Sequence, residues 1–303
     1  MAIKLLVLTG PTAVGKTALA IQWAQALGGE IINADSRQVY RHMDIGTAKP
    51  SLAEQASVPH HLLDVVAPDQ AFSLAEYQKA AAERIQEIHH RAKLPILVGG
   101  TGLYLTALIE AWQIPEVPPN PELRARLEAT PLADLVAQLG ELDPAAAAFL
   151  DLQNGRRVIR ALEVTLLSGR PFSALRQKQA PLYDARCMVL DMPREALYAR
   201  ADARVGQMVA AGWPEEVRHL IQDLGYDPGL PSFSALGYPQ MAALLRGEMN
   251  EGQAITAIQH ATHSFIRRQY TWIRGHVPPG GWHFISPAED GLEGLKLWLS
   301  GEA

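Results

Sequence analysis

Short apolar runs alternate with helix-forming stretches along the first third of the chain. Ile3 to Thr9 (IKLLVLT) is apolar and rich in branched residues, as a strand buried on both faces of a parallel sheet requires. Ala18 to Leu27 is rich in good helix formers, and Gly28-Gly29 can end that helix. Glu30 to Ala34 reads as a second strand. Ser73 and Glu76 make a capping box that opens a helix running to about Arg91. Leu94 to Val98 is a third strand, closed by Gly99-Gly100-Thr101-Gly102 and followed by a helix to about Ala111. This alternation predicts a parallel sheet with helices on both faces.

The pattern then breaks. Ile114 to Glu122 carries four prolines and reads as a stiff linker. Beyond it, Thr130-Pro131 and Asp143-Pro144 each place a cap residue before a proline at the first helical position. Asn154 caps a helix to about Ser168 that Gly169 stops, with Ile159, Leu162 and Leu166 on its apolar side. Strand character returns at Cys187 to Leu190. Helices follow over about Arg194 to Ala211, Pro214 to Leu224, Tyr238 to Arg246 and Asn250 to Arg274, then a strand from Trp282 to Ile285 and a last helix. The predicted class is α/β: residues 1–114 and 184–303 form one core, and 115–183 a small all-helical insertion.

The first strand runs into Gly10-Pro11-Thr12-Ala13-Val14-Gly15-Lys16-Thr17, which fits G-x-x-x-x-G-K-[ST]. A glycine turn of this kind aims several N–H donors at one point, and the following helix N-terminus adds positive potential there. Lys16 neutralises phosphate oxygens and the Thr17 hydroxyl holds a magnesium ion. The motif makes the expected sheet P-loop NTPase-like and the ligand a diphosphate or polyphosphate, without saying which. Asp35 ends the second strand, where ligands of open α/β sheets bind; it is placed for chemistry or serves as an N-cap or turn residue.

Composition narrows the class. The 303 residues carry a net charge of −5, against a binder of nucleic acid driven by bulk charge. Two basic islands stand out. One runs from Asn154 to Lys178, with Arg156, Arg157, Arg160, Arg170, Arg176 and Lys178 against Glu163 alone; the other runs from Gln259 to His276, with three arginines, three histidines and no acid. They are either contact surfaces for an anion or solvated helix faces. A single cysteine, Cys187, excludes an internal disulfide and sits in an apolar run that predicts a buried, inert thiol. His60-His61 and His89-His90 lack a third ligand at a recognisable spacing and are expected in core or surface roles. No leader or membrane span is evident, so a cytoplasmic chain is expected.

Seven stretches resemble the tRNA dimethylallyltransferase (tRNA isopentenylpyrophosphate transferase) family, bacterial type: GPTAVGKT (10–17), DSRQVYRHMDIGTAKP (35–50), LVGGTGLYL (97–105), RRVIRALEV (156–164), RADARVGQMVAAGWPEEV (200–217), LGYPQM (236–241) and RRQYTWIR (267–274). The resemblance implies that a dimethylallyl group moves from its diphosphate to the exocyclic N6 amine of the adenine 3′-adjacent to the anticodon in tRNA. The adenine amine is a poor nucleophile, and Asp35 is the candidate base for its proton. Pyrophosphate leaves, with the loop donors, Lys16, Thr17 and Mg2+ taking its charge.

By the same resemblance Arg204 reaches the diphosphate from the opposite side and Thr101 contacts the target nucleotide. Asp35, Ser36, Arg37 and Gln38 contact the extruded base and its neighbours. Arg124, the run Arg156, Arg157, Val158, Ile159, Arg160, and the run Ser234, Ala235, Leu236, Gly237, Tyr238, Pro239 touch the RNA. Implied partners are the tRNA anticodon stem-loop and dimethylallyl diphosphate, with no membrane and no obligate protein partner; a monomer is the expected state. The chain departs from the family pattern at Ser234, Pro239, His263 and Ser264. Two other enzymes share parts of this pattern: an isopentenyltransferase of free adenine nucleotides and a P-loop small-molecule kinase. The arginine-bearing insertion argues against the first, and glycines in place of an acid after the third strand argue against the second.

Overall fold

The computed structural model describes residues 2–115, 117–118, 120–175, 180–289 and 291–302. Glu116 and Pro119 of the proline-rich stretch, and Arg176 and Lys178 of the first basic island, lie outside the described residues. The chain divides into two compact units, Met1–Ile109 with Pro181–Ala303, and Glu110–Ala180.

In the first unit the chain runs β1 (Ile3–Thr9), α1 (Lys16–Leu27), β2 (Gly29–Asn33), α2 (Leu52–Ser57), β3 (His60–His61), α3 (Leu74–His90), β4 (Leu94–Val98) and α4 (Gly102–Ile109). The second unit contributes α5 (Pro121–Glu128), α6 (Leu132–Leu142), α7 (Pro144–Phe149), α8 (Gly155–Ser168) and α9 (Phe172–Leu175). The chain then returns through β5 (Tyr183–Leu190), α10 (Arg194–Ala210), α11 (Trp213–Arg218), α12 (Tyr238–Leu245), α13 (Glu251–Gly275), β6 (His283–Ile285) and α14 (Leu292–Ser300).

The six strands form one parallel sheet in the order β3-β2-β4-β1-β5-β6, a P-loop NTPase-like arrangement. Successive residues of a strand face opposite sides, and β1 shows it. Leu6 and Leu8 join Trp23 of α1 and Trp298 of α14 on one face. Leu5 and Val7 join Tyr77 and Ile85 of α3 and Leu105 of α4 on the other. A third cluster lies beyond the sheet and unites Val39, Met43, Trp213, Phe233, Tyr238 and Ile258.

The expected box opens α3: Ser73 Oγ accepts the Glu76 N–H and the Glu76 carboxylate accepts the Ser73 N–H. Two residues too few to show a periodicity, His60 and His61, pair with β2 as a short edge strand. The His61 ring and the Arg91 guanidinium share the Glu30 carboxylate, and no group of three metal-ligating side chains exists among the described residues. Cys187 is buried as expected, its thiol pushed up to about 12 by that burial. No helix among the described residues is long and apolar enough to cross a membrane.

The second unit closes around Leu127, Leu135, Leu139, Val158, Ala161 and Leu162. Two local expectations are corrected here. Thr130 does not cap α6; its hydroxyl bonds back to the Arg126 carbonyl, and Pro131 occupies the cap position. On α8 the buried side runs through Val158, Ala161, Leu162 and Thr165, so Leu166 is exposed. Asp143 does cap α7, accepting the Ala146 N–H at 3.0 Å.

Candidate active site

The register that pairs Leu8 and Asn33 with Val98, and Thr9 with Val189, brings the carboxyl ends of β1, β2, β4 and β5 to one edge. The loops after β1, β2 and β4 are stitched there by short bonds. Thr9 Oγ1 donates to the Gly99 carbonyl at 2.9 Å, the Ala34 N–H donates to Val98 at 2.7 Å and the Thr101 N–H donates to Ala34 at 3.1 Å.

The loop from Gly10 to Gly15 is shaped by its glycines. Gly10 has φ 146°, and a Cβ there would collide with the Leu190 carbonyl oxygen; Gly15, at φ 109°, caps α1. No carboxylate occupies this N-terminus, so its free N–H groups and dipole suit an external anion. Lys16 reaches back across the loop, donating to the carbonyls of Gly10 (3.0 Å) and Pro11 (2.7 Å). Burial pushes its ammonium down to about 8; Asp35 opposes that shift and Arg204 adds to it. Burial, with Arg200 beside it, also lowers Arg204, while Asp35 counters. Lys16, Asp35 and Arg204, far apart in the chain, therefore form one electrostatic group.

Asp35 sits in a turn that fixes its carboxylate. Its N–H donates to Asn33 Oδ1 at 3.0 Å, and its Oδ1 accepts the Arg37 N–H at 2.8 Å. Thr101 faces the same turn: its Oγ1 accepts the Ser36 N–H at 2.9 Å and stands 3.3 Å from Ser36 Oγ. Behind Asp35 the rings of Tyr77 and Tyr104 stack at 3.6 Å, both hydroxyls pushed up first by burial and further by the Asp35 charge. From α13 the buried Gln269 reaches the loops after β1 and β4, accepting the Thr12 N–H at 2.8 Å and donating to the Gly100 carbonyl at 3.3 Å.

The structure thus gathers Gly10 to Thr17, Asp35, Ser36, Thr101 and Arg204 in one place. It adds two residues that sequence reasoning had not assigned to the site, Arg200 and Gln269. A Cβ on Gly15 would lie 3.3 Å from Arg200 Nη2, so this guanidinium stands at the mouth of the loop. Its signal was the i, i+4 spacing from Arg204; that of Gln269 was an amide in register with the buried positions Thr262, Ile266 and Ile273.

The residues expected against RNA divide by exposure. Arg37 donates to the Pro231 carbonyl (2.9 Å) and to Ser234 Oγ (3.0 Å), while Gln38 donates to the carbonyls of Thr47 and Ala48, both at 3.1 Å. Ser234 and Pro239 are exposed, whereas Ala235, Gly237 and Tyr238 are buried against Trp213 and its neighbours. Side chains so packed are not a contact surface, which narrows the run from 234 to 239 to its exposed members.

In the second unit Arg156 and Arg157 are exposed, Val158 is buried and Ile159 packs on the core. Arg124 and Arg160 both bind the buried Glu163 carboxylate, at 2.7 and 2.8 Å. Burial would lift Glu163, but bonds from Arg160, the Asn120 N–H and Arg124 outweigh it and hold this carboxyl below its ordinary range. The basic face is thus partly neutralised from within.

A divalent cation at this edge would meet the Thr17 hydroxyl. Thr17 stands in the first turn of α1 beside the anion-binding loop, and no carboxylate cluster is available among the described residues to cage a metal. A hydroxyl, phosphate oxygens and water are hard oxygen ligands of the kind magnesium takes.

Residues 38–276 match the model of a family described as IPP transferase. A tRNA dimethylallyltransferase of Chloroflexus aggregans is 53% identical over 275 residues, 89% of this chain and 93% of its own. The crystal structure of a full-length tRNA isopentenylpyrophosphate transferase from Bacillus halodurans superposes with a TM-score of 0.71 at 37% identity, covering 99% of this chain and 96% of its own. A eukaryotic dimethylallyltransferase acting on tRNA superposes with a TM-score of 0.85 at 25% identity, covering all of this chain and 81% of its own.

Proposed function

The chain belongs to the IPP transferase family, and we propose that its loop from Gly10 to Thr17 holds dimethylallyl diphosphate while Asp35 deprotonates the acceptor adenine. The activity is dimethylallyl transfer to tRNA. The acceptor in this reading is the N6 amine of the adenine 3′-adjacent to the anticodon. The nitrogen lone pair forms a bond to the allylic C1 as the C1–O bond breaks, the bonding pair leaves with diphosphate, and the N6 proton passes to Asp35. Transition-state charge grows on the leaving oxygens and at the amine, and the protein has opposite groups at each end.

The observation that carries this reading is the electrostatic link between Lys16, Asp35 and Arg204 across one strand edge. Lys16, Arg200, Arg204 and the loop N–H groups meet the diphosphate from two sides. Thr17 would hold a magnesium ion, which when bound neutralises charge on the leaving group. Thr101, bonded to the Ser36 N–H, places the acceptor nucleotide. A phosphoryl-transfer reading has less support, because β4 ends in Gly99-Gly100 with no carboxylate. Asp191, which ends β5, already accepts the Tyr270 hydroxyl and the Met192 N–H.

The second unit supplies the anticodon stem-loop contact through Arg156 and Arg157, with the half-buried Arg37 and the exposed Ser234 and Pro239 serving the loop itself. Residues 115–183 are assigned that role as an insertion, and the enzyme works in the cytoplasm, where unmodified tRNA is found. Incubating the protein with unmodified tRNA, magnesium and dimethylallyl diphosphate tests the whole assignment. Nucleoside mass analysis is expected to show one dimethylallyladenosine per tRNA; no product with this donor, or phosphoryl transfer from ATP in its place, overturns it.

A further inference from the structure

We infer that Gln269 is a positioning residue that locks the donor cradle and the acceptor-side loop in one register. It rests on the site reading above, and begins from what a single buried amide does here. Gln269 sits on α13 in line with Ala254, Ile258, Thr262, Ile266 and Ile273, a stripe whose other members pack against apolar neighbours or bond within the helix. It is 7% exposed, so its amide must find partners within the protein. It finds one on each of the two loops that meet at the strand edge, Thr12 after β1 and Gly100 after β4.

The geometry fixes two peptide planes. Thr12 N–H and the Pro11 carbonyl belong to one trans peptide unit. Gln269 Oε1 holds the N–H at 2.8 Å and Lys16 Nζ holds the carbonyl at 2.7 Å. The Gly100 carbonyl and Thr101 N–H belong to a second unit. Gln269 Nε2 holds that carbonyl at 3.3 Å and the Ala34 carbonyl holds the N–H at 3.1 Å. The amide orientation is dictated, since Thr12 offers only a donor and Gly100 only an acceptor. A Cβ at position 100 would run into Gln269 Nε2, so a larger residue there would displace the amide.

Two consequences follow for the reaction. Thr12 N–H is committed to Gln269, so the donors left for diphosphate begin at Ala13. And when Lys16 swings from Pro11 to an anion, the Pro11–Thr12 peptide keeps its orientation only through Gln269. The same side chain holds the peptide that presents Thr101 to the acceptor. Near-attack geometry between the allylic carbon and the amine depends on both loops at once, and small displacements there are costly in rate.

The test pairs hydrogen exchange with kinetics on Gln269→Met, which keeps volume and removes both bonds. Thr12 and Thr101 amides are expected to exchange at least about tenfold faster, while α13 amides stay protected. The dissociation constant for dimethylallyl diphosphate should rise about tenfold and kcat should fall at least about tenfold, with KM for tRNA within about twofold. Gln269→Glu covers the case in which the Met variant does not fold. It keeps an acceptor for Thr12 and lacks the donor for Gly100, so Thr101 alone should lose protection. Unchanged exchange at both amides, or equal shifts in both KM values with kcat intact, overturns the inference. Failure of the wild-type protein to bind dimethylallyl diphosphate at all instead overturns the reading of the cradle.

Discussion

Lys16 offers a prediction whose size follows from the structure. Its ammonium is pushed from 10.5 down to about 8 by burial, with Asp35 pulling the other way and Arg204 adding to the fall. In the free protein Lys16 is therefore unprotonated in about a tenth of molecules at pH 7, about half at pH 8 and about nine tenths at pH 9. A bound diphosphate favours the charged form and returns the group above its free value. Binding then takes up about 0.5 proton at pH 8 and about 0.1 at pH 7. The sign of this contribution is fixed: Lys16 holds more protons in the complex than in the free protein, so its part of donor affinity is level below pH 7 and falls by up to about tenfold per unit above pH 8. Calorimetric titration with dimethylallyl diphosphate, in buffers of differing ionisation enthalpy, reads the uptake directly. Lys16→Arg is the control, because a guanidinium stays charged throughout this range and should show none of it. Negligible uptake by the wild-type protein at pH 8, or equal uptake by the arginine variant, would refute the placement of Lys16 in the anion site.

Three further outcomes are expected. Gly10→Ala forces a Cβ onto the Leu190 carbonyl at a left-handed position, so donor binding should be lost and stability should drop by about 1–3 kcal/mol in denaturant titration. Charge reversal at Arg156 and Arg157, both exposed, should weaken tRNA binding and flatten its salt dependence while donor affinity, measured by calorimetry, stays unchanged. Glu163→Ala removes the buried acceptor of Arg124, Arg160 and the Asn120 N–H while both guanidiniums keep access to solvent, and should destabilise the second unit by about 1–3 kcal/mol, read from its unfolding transition.

The sheet and the cradle were legible because their signals are local. An apolar run, a glycine turn and a capping box each need only neighbours in sequence, and β1, the loop 10–17 and α3 appear where those signals stand. The roles of Arg200 and Gln269 were not legible, because their partners, Gly15 and Thr12, lie 185 and 257 residues away and only the fold brings them together. The RNA-facing runs show a different limit. A matching stretch assigns consecutive residues one role, while a helix turns them to different sides: Arg156 and Arg157 face out and Val158 faces in. The pairing of Arg160 with Glu163, three residues on, was within reach of helix geometry, and it changes that face from a bare positive patch to a partly neutralised one.

The central claim is that one edge of the sheet holds the leaving diphosphate and, at Asp35, the base for the acceptor amine. Single-turnover quench of preformed enzyme–donor–tRNA complexes, wild type against Asp35→Asn, tests it most directly. The wild-type complex should yield dimethylallyladenosine and free diphosphate one for one. The variant should hold both substrates within a few fold of normal affinity and react about 10²–10⁴-fold more slowly. A variant that reacts at the wild-type rate would contradict the account.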